Sequence, residues 1–446
     1  VKDRQANFEL YSGKLLLAGR DGNSRALYEP FYKGFEPRIG FAWTPGLFDN
    51  KFVVRAGYGI TQYMEGTGSN LRLPLNSPFF LEVEKNFDPT SGPGIIASGF
   101  ADVIPTPGTV AGQIRVWDPN LRPQFTQQYN LALEYQLSNA TSVSAAYVGH
   151  RATHLVAPTD WNQPLPDPGP PSTWRPLDAR RPLAGVRPGV TQISGTESWA
   201  VSNYNSLQVS ARQRSSKGLE FLLSYTLSKT LTDNLGYYGS AGVRAQGAYS
   251  ANNYDRHGYN YGPAFFDATH NFTWAGTYDL PFGKGRAFGG GWNSLTNGLL
   301  GGWALGSILQ FRSGFPITVT AADQSLQGGR GSARPNLIGD PTLDNRTLDR
   351  WMDAAAFSLP AQGTFGSAGV GVLRAPGYKN LDISLSKKFN LTESKYFDFR
   401  AEFFNFTNTP SFAPPLADWS APATFGRITD TVSNPRNLEF ALKFHF

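Results

Sequence analysis

Apolar and polar residues alternate one by one along much of this chain. The last segment shows it most plainly: Leu438, Phe440, Leu442, Phe444 and Phe446 interleave with Asn437, Glu439, Ala441, Lys443 and His445. Side chains on a strand point to opposite faces with period two, so one face here is all Leu and Phe and the other is mostly polar. In a soluble sheet such a strand is an aggregation hazard unless it is covered. In an outer-membrane barrel the same pattern serves bilayer and lumen at once, apolar side out and polar side in. On this stretch alone a strand of a soluble β-sandwich stays open as the other reading.

The rest of the chain repeats the pattern. Gln5 to Ala18 reads as a short hairpin about Ser12-Gly13. Strands follow at Phe35 to Thr44, Phe52 to Tyr63, Gln124 to Leu137, Thr141 to Thr153, Tyr204 to Arg214 and Leu219 to Lys229. They continue at Phe265 to Leu280, Trp303 to Arg312, Asn380 to Phe389, Tyr396 to Phe406 and Arg436 to Phe446. Connections alternate in kind. Short connections at Pro45 to Asn50, Ser138 to Ala140, Ser215 to Gly218, Pro281 to Arg286 with the Gly-rich run that follows it, and Asn390 to Ser394 trade places with long, irregular stretches. That alternation predicts an all-β, antiparallel up-and-down transmembrane barrel of about eleven strands here, with short periplasmic turns and long extracellular loops. The parity closes provided Phe79 to Glu84 is loop. A ten-residue strand at about 3.3 Å per residue, tilted near 45°, climbs roughly 23 Å, close to an apolar band of about 25 Å.

Composition agrees. Aromatic residues make up 14% of the 446, with 48 Gly and 32 Pro, which favours strands and turns. Charged residues are only 17%, below the usual quarter of soluble chains. Mean hydropathy is nonetheless −0.32, and no apolar run reaches the roughly 18 residues a spanning helix needs. The formal charge of +6 is spread along the chain, which argues against nucleic acid as a partner. Zero Cys removes disulfides and thiolate metal sites. The chain opens on Val1 without a signal-peptide pattern. The expectation is therefore a single barrel domain over 1–446, a fragment whose N-terminal part lies outside it.

Several ordered segments resemble one family. They include Phe35-Glu36-Pro37-Arg38-Ile39-Gly40-Phe41-Ala42-Trp43, Val54-Arg55-Ala56-Gly57-Tyr58-Gly59, Thr126-Gln127-Gln128-Tyr129-Asn130-Leu131 and Ala146-Tyr147-Val148-Gly149. Tyr278-Asp279-Leu280-Pro281-Phe282-Gly283-Lys284-Gly285, Gly377-Tyr378-Lys379-Asn380-Leu381-Asp382 and Phe399-Arg400-Ala401-Glu402-Phe403-Phe404-Asn405 follow in order. Together they resemble the TonB-dependent receptor family in its Oar-like branch, with a carboxypeptidase-regulatory-like N-terminal domain, over nearly the whole chain. The resemblance implies a barrel of about 22 strands, filled by a plug and driven through an energy-coupling box by an inner-membrane complex. Neither plug nor box occurs in this sequence, so the chain is expected to be the C-terminal part of that barrel.

No catalytic constellation stands out: there is no Gly-x-Ser-x-Gly elbow, His-Glu-x-x-His pair or phosphate loop. An enzyme is not expected, nor a cofactor. His150 and His154 lie at a strand end, where four residues span about 13 Å, too far for shared metal binding. Asp255-Arg256-His257, and Asp267 with His270, read as surface hydrogen-bonding groups or as ligand contacts. Inward polar residues such as Arg55, Glu134, Glu220, Asp382, Arg400 and Glu402 read as lumen solvation and cross-strand pairing, or as a plug or substrate surface. Phe440, Leu442, Phe444 and Phe446 resemble the C-terminal signal by which barrel-assembly machinery recognises its clients. Loop aromatics Trp161, Trp174, Tyr237, Tyr238 and Tyr249 are candidate contacts for an unknown small-molecule, oligosaccharide or peptide ligand.

Three functions compete. One is a receptor or transporter barrel in outer-membrane lipid, partnered by an upstream plug and a TonB-type complex. The others are an adhesive or structural surface barrel that imports nothing, and a soluble all-β carbohydrate-binding protein.

Overall fold

The structure, a computed structural model, describes residues 3–446 except 11, 47, 64–72, 81–113, 188–189, 192, 235–248, 330 and 393. Its centre is one antiparallel meander in which each long strand pairs with the next in sequence. We number these strands β1 (Arg38–Trp43), β2 (Phe52–Tyr63), β3 (Gln124–Gln136), β4 (Thr141–Asp160), β5 (Ile193–Ser216) and β6 (Leu219–Thr232). There follow β7 (His270–Asp279), β8 (Trp303–Arg312), β9 (Tyr378–Asn390), β10 (Tyr396–Phe404) and β11 (Asn437–His445). The sheet is open, with β1 and β11 at its two edges. The expected eleven strands and their order are all present. Phe79 and Phe80 are turn and coil; the rest of the Phe79 to Glu84 stretch lies outside the described residues.

Register shows why alternation was so regular. One row of paired residues runs Trp43, Val54, Leu133, Ala145, Val209, Tyr225, Phe272, Phe311 across eight strands. A second runs Leu219, Tyr278, Leu305, Leu385, Ala401, Phe440 to the other edge. On the opposite face the row is Glu134, Ser144, Ser210, Ser224, Thr273, Gln310, Asn380. A one-residue slip in any pairing would mix the two faces, so the pattern itself fixes the register. Polar residues on the apolar face find partners: Trp274 Nε1 donates to Ser307 Oγ at 3.0 Å. The polar face pairs within itself, with Arg55 3.1 Å from Glu134 and Ser144 Oγ 2.7 Å from Ser210 Oγ.

Rings gather toward the two ends of the apolar face. At the short-turn end Trp303 packs edge-on against Phe389 and Phe399. Toward the long-loop end Tyr225 hydrogen-bonds His270 at 2.8 Å, and Tyr129 stacks on Tyr147 nearer mid-strand. Trp303 and Phe311 of β8 are eight residues apart, about 26 Å along the strand and roughly 19 Å of height at 45°.

The long connections fold into small cores of their own. Ile317, Val319, Met352, Phe357, Leu373 and Phe425 bury one another between the 313–377 and 405–436 segments. Phe8, Ile114, Val116, Leu183, Val190 and Ile193 form another, and Leu27, Leu73, Trp117, Leu121 and Val156 a third. Two expectations need correction. The loop expected from His154 to Ser202 is strand at both flanks, because β4 continues to Asp160 and β5 starts at Ile193. Register shifts after Ala152, with His154 in the left-handed region at φ 57°, break the alternation there. The strand expected from Phe265 begins only at His270, Phe265 and Phe266 being an edge-to-face pair in the preceding loop.

Candidate functional site

The far ends of β4 and β5 form one wall of a cleft of about 660 Å³. Strand Ile114–Trp117 lies parallel to the end of β5, Ile114 opposite Ile193 and Trp117 opposite Thr196. Its other edge has side chains for a partner. Asn7 Nδ2 donates to Trp117 O at 2.9 Å and its Oδ1 accepts from Trp117 N at 3.0 Å. Asn76 does the same to Arg115, donating to its carbonyl at 2.6 Å and accepting from its amide at 2.9 Å. Two amides thus stand in for a missing strand and keep buried backbone groups paired. Asn7 belongs to the N-terminal hairpin Ala6–Glu9/Lys14–Leu17, whose Phe8 is buried in the same core. The hairpin is thereby clamped over the cleft.

The cleft is lined by the carboxylates Glu9, Asp118, Asp160 and Glu197 and by one guanidinium, Arg256. Arg256 bonds Glu197 and donates to Thr159 Oγ1 at 2.7 Å, while its plane lies 4.9 Å over Trp199. Thr159 Oγ1 donates to Glu197 at 2.5 Å. Burial, and the nearby Asp160 carboxylate, push the Tyr254 phenol up to about 12, so it stays a neutral donor at any physiological pH. Trp161 and Tyr254 supply ring faces, and Asn253 an amide, to the same space. Four carboxylates against one cation favour hydroxyl donors and cationic groups and disfavour anions. Among the described residues no group of three His, Cys, Asp or Glu side chains is placed to hold a metal ion.

The structure distributes the sequence-selected residues unevenly. Trp161 lines the cleft while also packing on the Phe8 core. Trp174 is half-buried elsewhere, its Nε1 donating to Gly169 O at 3.2 Å and its ring under Arg180. Tyr249 is 9% exposed, with its hydroxyl bonded to Ser194; this corrects its choice as a ligand-facing ring, since packing has claimed it. Tyr237 and Tyr238 lie outside the described residues. Asp255 caps the short helix Arg256–Asn260 through Gly258 N. Asp267 is buried, bonding Arg374 at 2.5 Å and Thr230 N at 2.6 Å, and not on the surface. His257 bonds the buried Asp233. Phe440, Leu442, Phe444 and Phe446 are 67%, 64%, 46% and 91% exposed along the apolar face and its end. Arg256, read from the sequence as a surface group or a ligand contact, lines the cleft; Asn7, Asn76 and Glu197 were not singled out from the sequence, because nothing local marks side chains whose partners lie 39 to 110 positions away.

The family comparison now decides what the two-faced sheet is for. The outer-membrane β-barrel domain family matches residues 1–439. The chain belongs to that family. Its apolar face is therefore the lipid face of an outer-membrane barrel wall, and its place is the outer membrane.

Among solved structures, the barrel domain is similar to the outer-membrane transporter YddB of Escherichia coli, at 11% identity and a TM-score of 0.48, covering 99% of this chain and 42% of that one. It is also similar to the ferric-catecholate import receptor Fiu of E. coli, at 12% identity and TM-score 0.39, covering 92% and 34%. For the ferripyoverdine receptor of Pseudomonas aeruginosa, bound to ferripyoverdine, the values are 9%, 0.42, 92% and 33%. The chain spans well under half the length of each of these structures. No curated protein matches it.

Proposed function

We propose that this barrel domain is the membrane wall of a TonB-dependent receptor of the Oar-like branch. On this reading 1–446 is the C-terminal part of the barrel. Its plug and coupling box belong to preceding sequence, and its short turns face the periplasm. The long-loop end binds the ligand, and import is driven by the TonB-type complex. The observation that carries this reading is the cleft: an exported wall without a cargo has no need of an aromatic, carboxylate-rich hollow braced by two buried asparagines. Its charge fits a neutral polyhydroxylated or cationic ligand, an oligosaccharide or a basic peptide, better than an anion.

The terminal set Phe440, Leu442, Phe444 and Phe446 acts, in the same proposal, as the recognition signal for barrel-assembly machinery. The competing reading, an adhesive barrel that imports nothing, shares the fold and differs in energy coupling. Uptake of labelled oligosaccharides and peptides by wild-type and deletion strains, with and without a working TonB complex, separates them. TonB-dependent uptake that falls at least tenfold with Arg256→Ala supports the receptor. Cell-surface attachment that is lost on deletion but indifferent to TonB supports the adhesin and refutes import.

A further inference from the structure

One turn at the short-turn end is unlike the others. Where β3–β4, β5–β6 and β9–β10 are joined by two to five residues, β7 and β8 are joined by residues 280–302, which contain the helix Ser294–Leu300. Asn293 caps it, accepting from Thr296 N at 2.8 Å. Asn297 Oδ1 accepts from Lys284 N at 2.7 Å, tying helix and turn together. The segment holds two cations, Lys284 and Arg286, and no acid.

The helix is fastened to the lipid face. Trp303 Nε1 donates to Leu299 O at 2.9 Å, and Lys387 Nζ donates to Gly298 O. Lys387 stands in the apolar row, between Trp303 on one side and Phe399 on the other. A bare ammonium is costly there, yet Lys387 is only 5% exposed. Its charge is taken up by the helix carbonyl and by the rings of Phe389, 4.9 Å away, and Trp303, 5.4 Å away. The helix thus lies against the outer side of the wall. Leu295 and Leu299, one turn apart on a common face, are 75% and 58% exposed, Leu300 56% and Phe288 60%.

We propose that residues 280–302 form an interfacial anchor. In it Leu295, Leu299, Leu300 and Phe288 insert into the phospholipid leaflet at the short-turn end of the barrel, with Lys284 at its headgroups. Two observations select lipid as the occupant. The exposed leucines continue the lipid face through Trp303 and Lys387, and Lys284, the segment's cation outside the Arg286–Asp279 pair of 3.2 Å, complements anionic headgroups. Amphipathic segments of this composition bury their apolar side at the headgroup–acyl boundary.

The chain contains no Cys, so a single Leu299→Cys can carry an environment-sensitive fluorophore in protein reconstituted into phosphatidylethanolamine–phosphatidylglycerol vesicles. Asn139→Cys, in the β3–β4 turn, reports a solvated turn, and Leu309→Cys reports the lipid face of β8. The anchor predicts blue-shifted emission from position 299. It also predicts quenching by headgroup nitroxide lipids at least threefold stronger than at 139, and weaker quenching by deep-chain nitroxides than at 309. Red emission without quenching would place the helix in water and overturn the proposal. Blue emission without quenching by any lipid would show a protein covering, such as a second copy of the chain, and overturn it equally.

Discussion

An arginine at Leu131 should cost the barrel about 2–4 kcal/mol, the figure for a cation near the bilayer midplane on a lipid face. Leu131 is 48% exposed and lies between Ala56 of β2 and Tyr147 of β4, all in the apolar set. Tyr135, two turns of the pleat below it, marks the short-turn end, where it meets Phe48 edge-on. At about 3.3 Å per residue and 45° tilt, Leu131 is roughly 9 Å above Tyr135 and Leu133 roughly 5 Å. Half of an apolar band of about 25 Å is roughly 12 Å, so Leu131 is nearly central and Leu133 is not. Leu133→Arg should therefore cost less than Leu131→Arg, since the penalty falls toward about 0–1 kcal/mol at the interface. The lumen control needs care. Ala132 faces Arg55 directly, so a second guanidinium there adds a like-charge penalty of about 0.2–1 kcal/mol. Ala146, between Ala132 and Gln208 on the same inner face, avoids it, and Ala146→Arg should cost under about 1 kcal/mol. Reversible refolding into lipid vesicles, titrated with denaturant, gives all four numbers. A change of 2–4 kcal/mol is roughly thirty- to several-hundredfold in the folding constant. Equal costs at 131 and 146 would refute the assignment of faces, and a larger cost at 133 than at 131 would refute the depth.

Three further outcomes follow from the loops and the terminus. Deleting Phe446, 91% exposed and stacked on Phe444, should leave refolding in detergent nearly unchanged while sharply reducing outer-membrane insertion in cells, read by surface labelling; normal insertion would remove the signal role. Arg374→Ala leaves the fully buried Asp267 without its guanidinium, which should cost about 3 kcal/mol and appear as protease cleavage in 264–269 and 313–377; unchanged protection would contradict it. Gly314→Ala places a Cβ 1.6 Å from Ala375 O, so the segment must part from 373–375. The variant should lose the Ala375 N to Phe315 O bond of 2.9 Å, seen as faster amide exchange at Ala375.

How much of this was legible in the sequence follows from which solvents each residue meets. Between the two aromatic zones a strand has hydrocarbon on one side and a watery interior on the other. Leu131, Leu133 and Tyr135 therefore had to alternate with Asn130, Ala132 and Glu134, and their pairing could be read in advance. Beyond that zone the contrast disappears. Ile114 to Trp117 is buried on both sides, so it has no period of two to detect. The continuations of β4 and β5 lost theirs at the register shifts beside His154. The loop cores are built from scattered residues such as Met352 and Phe425, which belong to no repeating pattern, and only the folded chain collects them. Most of the cleft was illegible for the same reason: Asn7, Asp118 and Glu197 come to Arg256 from three separate segments. Aromatic content alone pointed to Trp161 and to Tyr249 equally, and nothing in the sequence says that the second hydroxyl is used up on Ser194.

The sorting of successive residues between lipid and lumen is tested most directly on β3. A nitroxide placed in turn at each position from Gln124 to Gln136 in lipid-reconstituted protein reports collision with membrane-soluble oxygen and with a water-soluble nickel chelate. The predicted result is an oscillation of period two, oxygen maxima at Tyr129, Leu131, Leu133 and Tyr135 and nickel maxima at Asn130, Ala132 and Glu134. A profile that varies smoothly along the strand, or in which both sets meet the same solvent, would contradict it.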